Sequence, residues 1–390
     1  MISELHTWAR RARGAAAIAA ALATVGACGG GRDGRPLRIG APGPWSSGSN
    51  ATQRHGIELA VAEINAGGGV RGRPLEAVFP DDGADAARAV GIAGDLIDDA
   101  SVVAVVGHVN SGTLLAAARL YDGRLPAVAA TATSPDVSGV SRWVFRVVPS
   151  DSLAGASLAR AAAALGGRRA AVLYENDSYG RGLARAFAAE FRGTLVSIDP
   201  VSRSTRDYEP YVAYYRRQAP DVVFVASSEE TGLRFLRAAR QGRLHSALLA
   251  ADGWLGVTVD TAAAEGAYVG VAFVPTDPSP AAQRFVAAFH ARYGADPDAS
   301  AALAYDATRL VARALTDGGP SRGAVRDYLA TVGRSHSFEG VTGTVRFDAS
   351  GDPAGKDVLL TRVHDGALRV VDAGAATARA DAGSQARPGH

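Results

Sequence analysis

Short apolar runs alternate with segments whose apolar residues recur at helical spacing, and the alternation repeats along most of the chain. Residues 37–41 read as a strand. Ile57, Leu59, Ala60, Val61 and Ile64 then share one helical face, and the pattern stops at Asn65-Ala66-Gly67-Gly68-Gly69. Strands are predicted at 75–79, 102–106 and 125–129, with helices over 84–98 and 112–121 between them. From 143–148 a second series begins: helix 152–165, strand 169–174, helix 183–192, strand 194–198, helix 206–218, strand 221–226, helix 231–241 and strand 247–251. A short strand at 271–274 and helices at 279–293, 299–316 and 321–331 follow. Three strand-like runs, 341–347, 357–363 and 367–371, close the pattern, and 373–390 has no periodicity and is expected to be a disordered tail. Strand–helix alternation of this kind predicts an α/β fold built on doubly wound parallel sheets, with ligands outside the carboxyl ends of the strands.

Polar turns fall at those ends: 43–50, 108–113 and 130–135 in the first series, 175–180, 227–230 and 252–254 in the second. In the stretch VVAVVGHVNSGTLLAAARL (102–120) a buried strand runs through Gly107 into a polar turn that opens a helix. Backbone N–H groups and a positive helix dipole there favour an anion. Taken alone, the same turn is an ordinary junction with Ser111 as helix N-cap.

Composition narrows the class. The chain has 390 residues, enough for two cores, and its 47% hydrophobic and 21% charged residues fit a globular protein. The formal net charge of +2 shows no basic patch, which argues against nucleic acid as a partner. Metal-ligand spacings, a nucleophile elbow and a Gly-rich phosphate loop are not found, so no metal, no cofactor and no enzymatic activity are expected. Lys356 is the single lysine.

The amino terminus reads as a targeting segment. Arg10, Arg11 and Arg13 precede an apolar run over 15–25 that is too short to span a membrane. Val25-Gly26-Ala27-Cys28 resembles the lipobox of bacterial lipoprotein signal peptides, which implies cleavage after residue 27 and a lipid anchor on Cys28, the only cysteine. Residues 28–36 would be the tether. Removal of residues 1–27 takes away three Arg and one Glu and leaves 38 basic and 38 acidic residues. The expected location is extracytoplasmic, with membrane attachment through the lipid only.

The order of motifs resembles the periplasmic-binding-protein type I family, in particular the branched-chain amino-acid substrate-binding proteins of ABC transporters. The resemblance covers about 37–371. It is carried by Gly56-Ile57-Glu58-Leu59-Ala60-Val61-Ala62-Glu63-Ile64-Asn65 with Gly67-Gly68-Gly69-Val70-Arg71-Gly72, by Asp81-Asp82, by Val106-Gly107-His108, by Thr131-Ala132-Thr133, and by Asn176-Asp177-Ser178-Tyr179-Gly180-Arg181-Gly182-Leu183-Ala184. It implies two doubly wound α/β lobes joined by three crossover segments, with lobe one at 37–146 plus 276–330 and lobe two at 147–275 plus 331–371. Hinges are then expected at 146–149, at 274–277 and near 330–342.

The resemblance also implies a site. Asn110, Ser111 and Thr133 would hold a ligand carboxylate. The Thr131 carbonyl, beside Ala132, and Asp252 would hold its ammonium, and Tyr179 would close over it. Two positions depart from the family pattern. Ser228, with Glu229 beside it, stands where an aromatic is usual, and Trp45 lies three residues before the matching position, Gly48. Both reduce the apolar lining and favour a polar or cationic ligand side chain. His108 and Asp81-Asp82 read as packing and turn-capping residues. The implied function is capture of an amino acid or related small carboxylate by a monomer that delivers it to an ABC permease; a sensing domain of the same fold, signalling to a partner protein, is the alternative.

Overall fold

The computed structural model describes residues 34–371 apart from Ser49. The expected signal peptide, Cys28 with most of its tether, and the tail from 373 lie outside the described residues.

The first lobe begins β1 (Leu37–Gly40), α1 (Ala51–Ala66), β2 (Leu75–Val78), α2 (Ala86–Asp98), β3 (Val102–Val106), α3 (Ser111–Tyr121), β4 (Ala127–Ala129), β5 (Val144–Arg146). The chain then crosses into the second lobe: α4 (Asp151–Ala164), β6 (Arg169–Glu175), α5 (Ser178–Glu190), β7 (Thr194–Val201), α6 (Glu209–Gln218), β8 (Val222–Ala226), α7 (Glu229–Gln241), β9 (Ala247–Ala250), α8 (Thr261–Ala264), β10 (Tyr268–Val271). It returns for α9 (Pro280–Tyr293), α10 (Ala299–Asp317), α11 (Arg322–Thr331) and the hairpin β11 (Phe338–Gly340)–β12 (Gly343–Val345), and ends in β13 (Leu359–His364) and β14 (Ala367–Val370).

The first sheet is parallel, in the order β2-β1-β3-β4-β5; the second is β14-β13-β10-β9-β8-β6-β7, parallel except where β13 pairs antiparallel with β10 and β14. Each sheet carries helices on both faces. Ile57, Leu303, Leu310 and Val325 cover one face of the first sheet, and Ala93, Leu96, Leu114 and Ala117 the other. Leu158, Leu183 and Phe187 cover one face of the second sheet, and Val212, Tyr215, Phe235 and Leu236 the other. Covering both faces explains why β3 and β8 are buried at all five positions and read as unbroken apolar runs. Gly56 lets α1 and α10 approach closely, since a Cβ there would overlap the Ala301 carbonyl.

Two boundaries that bear on the lobe division shift from the sequence reading. The strand expected at 271–274 ends at Val271, and 272–274 already belongs to the crossover, with Phe273 and Val274 packed on Phe285 and neighbours. The last crossing does not fall near 330–342. Val332, Val345 and Phe347 pack in the first-lobe core with Leu37 and Ile39, so the chain re-enters the second sheet only between Pro353 and Leu359. Amphipathic pattern alone assigns a strand no partner, and this hairpin pairs with itself and leans on the first lobe.

Polar anchors hold that crossing. Asp306, fully buried on α10, accepts the N–H groups of Val341 and Thr342 at 2.8 and 2.9 Å and the Thr342 hydroxyl at 2.5 Å. Lys356 donates to the same hydroxyl. Burial raises the Asp306 carboxyl and lowers the Lys356 ammonium to about 8, each opposed by the other's charge.

Candidate functional site

The carboxyl ends of both sheets meet across a cleft. At one edge Gly182 of α5 lies against Pro135 of the first lobe; a Cβ on Gly182 would sit 2.5 Å from the proline ring.

On the first lobe, α3 is capped by Asn110 rather than Ser111, which is the first helical residue. The Ser111 hydroxyl, 3% exposed, accepts the Ser134 N–H at 3.1 Å and keeps its own proton to donate. Asn110 makes no cap bond, and its Oδ1 is buried without a partner. Thr131 donates to Val109 O at 2.9 Å and to Gln53 Oε1 at 3.2 Å, so its side chain shapes the loop and leaves only its carbonyl for a ligand. Ala132 is fully buried. Thr133 is 2% exposed and its hydroxyl has no hydrogen-bond partner. Its carbonyl accepts from Arg146 Nη1 and from the Asp151 N–H, both at 2.8 Å.

Arg146 builds this wall. It is fully buried, bonds Thr133 O and Ser134 O at 2.8 Å, Ser138 Oγ at 2.7 Å, and pairs with both oxygens of Asp352 at 2.7 Å. His108 is confirmed as a packing residue: its ring is fully buried, with Nδ1 2.9 Å from Asp82 and Nε2 2.9 Å from the Tyr121 hydroxyl. Asp82 therefore does more than cap its turn. Trp45 donates its indole N–H to Ala41 O at 2.9 Å and meets Phe79 edge-on at 5.6 Å between centroids, beside Gly43.

On the second lobe, the Tyr179 hydroxyl donates to Asp252 Oδ1 at 3.0 Å and accepts the Gly253 N–H at 3.0 Å. The turn can come this close because residue 253 is glycine; a Cβ there would meet the tyrosine oxygen at 2.9 Å. Both side chains keep some accessible surface. Burial nevertheless raises the Asp252 carboxyl to about 6, with the Tyr179 bond pulling the other way. Ser228 is otherwise engaged than expected. Its hydroxyl and N–H both go to Glu175 Oε2, at 2.6 and 3.1 Å, so it acts first as a brace for the strand-end loop. Those bonds and Arg203 hold Glu175 below the usual carboxylate range despite its burial.

Asp151 was missed. It opens α4 directly after the first crossover, is fully buried, and neither carboxylate oxygen has a hydrogen-bond partner. Burial, reinforced by the nearby Asp252 charge, pushes its carboxyl well above the usual range, while the Thr133 hydroxyl lies close enough to oppose that shift without reaching bonding geometry. In sequence it resembles any acid in a first helical turn, favoured by the dipole. Only the packing of α4 against the Thr133 loop places it beside Asp252.

The cleft thus joins donors on the first-lobe turn (Ser111, Thr133 and helix N–H groups) to acids on the far side. A free carboxylate suits the former and an ammonium the latter. A candidate cation triad, Glu265, His364 and Asp365, lies apart from these residues on an exposed turn of the second sheet and is already internally bonded.

Residues 14–367 match the model of the periplasmic binding protein family, and the chain belongs to that family. Its relatives include the leucine-, isoleucine-, valine-, threonine- and alanine-binding protein of Pseudomonas aeruginosa, 29% identical over 81% of this chain and 86% of that one. Among solved structures, an ABC transporter substrate-binding protein from Desulfitobacterium hafniense in complex with Leu is 35% identical, covers 86% of this chain and all of its own, and superposes with a TM-score of 0.76. The branched-chain amino acid transporter substrate-binding protein of Streptococcus pneumoniae in complex with isoleucine reaches 0.80 at 26% identity over 86% of this chain and 99% of that one. The two-lobed α/β architecture is that of periplasmic binding protein type I structures, and the chain is a solute-binding protein of the ABC-transporter class.

Proposed function

We propose that the chain captures an amino acid, or a related small carboxylate, between its lobes and presents the closed form to an ABC permease at the cell membrane, held there by a lipid on Cys28. One observation supports this reading above the others: unpartnered buried groups of opposite demand face one cleft. The Thr133 hydroxyl lacks an acceptor, and the Asp151 carboxylate lacks donors. An amino-acid head group supplies both. Relatives bearing the names of amino-acid-binding proteins point the same way. The crossovers at 147–150, 272–279 and 354–358 would serve as the hinge.

A thermal-shift screen of the chain from residue 29 tests this. A ligand at 100 times its Kd adds about 2.7 kcal/mol of stability. Amino acids should raise the melting temperature. Sugars or neutral amines doing so while no carboxylate does would defeat the proposal.

The raised Asp252 carboxyl also sets a pH dependence. An acid whose folded pKa lies above its unfolded value of 3.8 stabilises the free protein at low pH and loses that contribution as pH rises through about 6. An ammonium needs the ionised form. Affinity should therefore be flat above pH 7 and fall by up to about tenfold per unit below about 6, as read by calorimetric titration between pH 5 and 8. A flat profile across that range would remove Asp252 from the ammonium site.

A further inference from the structure

The strand-end loop that carries Ser228 continues into Glu229, the first residue of α7. The binding reading above leaves this residue without a role. Its backbone is set by the two Ser228 bonds to Glu175. Its carboxylate lies flat against Gly256, in the same turn that carries Asp252, and a side chain at 256 would overlap it. The carboxylate is half-buried, yet among the described residues no N–H, hydroxyl or cation is bonded to it. Its neighbour Glu230, exposed, is by contrast paired with Arg234.

Asp298 of the first lobe lies near enough for its charge to act on Glu229. It caps α10, where Thr52 and Ser300 donate to it at 2.7 Å and the Ala301 N–H at 2.8 Å. Burial and this second negative charge both raise the Glu229 carboxyl, and nothing lowers it. Two like charges within reach of each other are costly to desolvate unless a cation lies between them.

Acceptors without donors recur elsewhere in the cleft. Apart from the Thr133 hydroxyl, its unpartnered buried atoms are acceptors: Asn110 Oδ1 and both oxygens of Asp151. Asp151 is fully buried, and Arg146, a cation whose charge reaches it, is committed to Asp352. A ligand with a neutral side chain brings one carboxylate and one ammonium, which cancel. Asp252 answers the ammonium, and Glu229, beside the Asp298 charge, remains without a counter-ion.

We propose that the cleft selects an amino acid whose side chain ends in a cation, an ammonium or guanidinium, with Glu229 as its counter-ion and specificity-determining residue. This rests on the amino-acid-binding reading above and deepens it. Glu229 touches the variable end of the ligand, while Asp252 and Asp151 serve the invariant end.

The test is isothermal titration of the chain from residue 29, wild type and Glu229→Gln, with L-arginine, L-lysine and L-leucine. Wild type should bind arginine or lysine at least tenfold tighter than leucine. Glu229→Gln should cost the cationic ligand at least tenfold and leave leucine within twofold, with no loss of thermal stability in the free protein, because a desolvated, unpartnered carboxylate has been removed. Leucine bound as tightly as arginine and lysine, or a cationic ligand bound equally by both proteins, would overturn the inference and leave amino-acid binding standing. Failure of all three to bind, with no other amino acid raising the melting temperature, would overturn the binding reading and this inference with it.

Discussion

Replacing Asp252 by Asn is expected to weaken amino-acid binding by roughly thirtyfold or more. The side chain keeps its size and its contact with Tyr179, whose hydroxyl lies 3.0 Å from Oδ1. What disappears is the negative charge opposite the ligand ammonium, in a place where burial already strains that charge. Truncating one partner of a buried, hydrogen-bonded charge pair costs about 2–5 kcal/mol, much of it the price of leaving the other charge unpaired. At about 1.4 kcal/mol per decade this is a loss of roughly thirtyfold to several thousandfold. The free protein should melt no lower than wild type, since a carboxyl held near 6 by desolvation has been replaced by a neutral amide. Titration calorimetry beside a melt of the free protein separates the two effects. An unchanged Kd would show that the ammonium is held elsewhere, with Asp151 the next residue to replace.

Arg146→Met should have the largest effect on stability, about 3–5 kcal/mol. The guanidinium is fully buried and makes five hydrogen bonds that tie three parts of the first lobe: the end of β5, the loop 133–138, and Asp352 ahead of the last crossing. Methionine fills the space of the stem but removes one of two donors from each of the Thr133 and Ser134 carbonyls, and leaves Asp352 only the Ser138 hydroxyl in place of both guanidinium donors. Asp352, partly solvent-accessible, recovers some hydration, which keeps the loss near the lower bound. The denaturant midpoint measures it. Because the Thr133 carbonyl loses one of its two anchors, the variant should also bind its ligand more weakly at temperatures where it is fully folded. A change under 1 kcal/mol would mean that the Arg146 network is stabilising only against its own desolvation.

Which strand-end turns carry the candidate site was legible in the sequence, and what escaped did so for physical reasons. The turn at 108–113, the Thr131–Thr133 loop, Tyr179 and Asp252 lie at strand ends, where a doubly wound sheet must place its ligand groups. Tyr179 and Asp252 do meet. Ser228 and Trp45 were legible as positions but not as contacts: a hydroxyl in a strand-end loop can turn to a ligand or to Glu175, and the choice depends on a side chain 53 residues away. Asp151 was hidden because a buried acid and a solvated first-turn acid have the same sequence signature. Arg146 was hidden because an Arg at the end of a strand is ordinarily exposed.

The sequence by itself determined the class of the fold. Strand and helix periodicities are local, and runs such as 102–106 and 222–226 carry in their own composition the fact of burial on both faces. It also set which turns could bind, because the end of a parallel strand and the start of a helix are adjacent in the chain. Packing alone set where the last crossing falls, that Asp151 comes within reach of the Asp252 charge, and that the Asp298 charge acts on Glu229 from the other lobe. Each of those depends on residues far apart in sequence being desolvated together, and desolvation is a property of the packed molecule that no local pattern encodes.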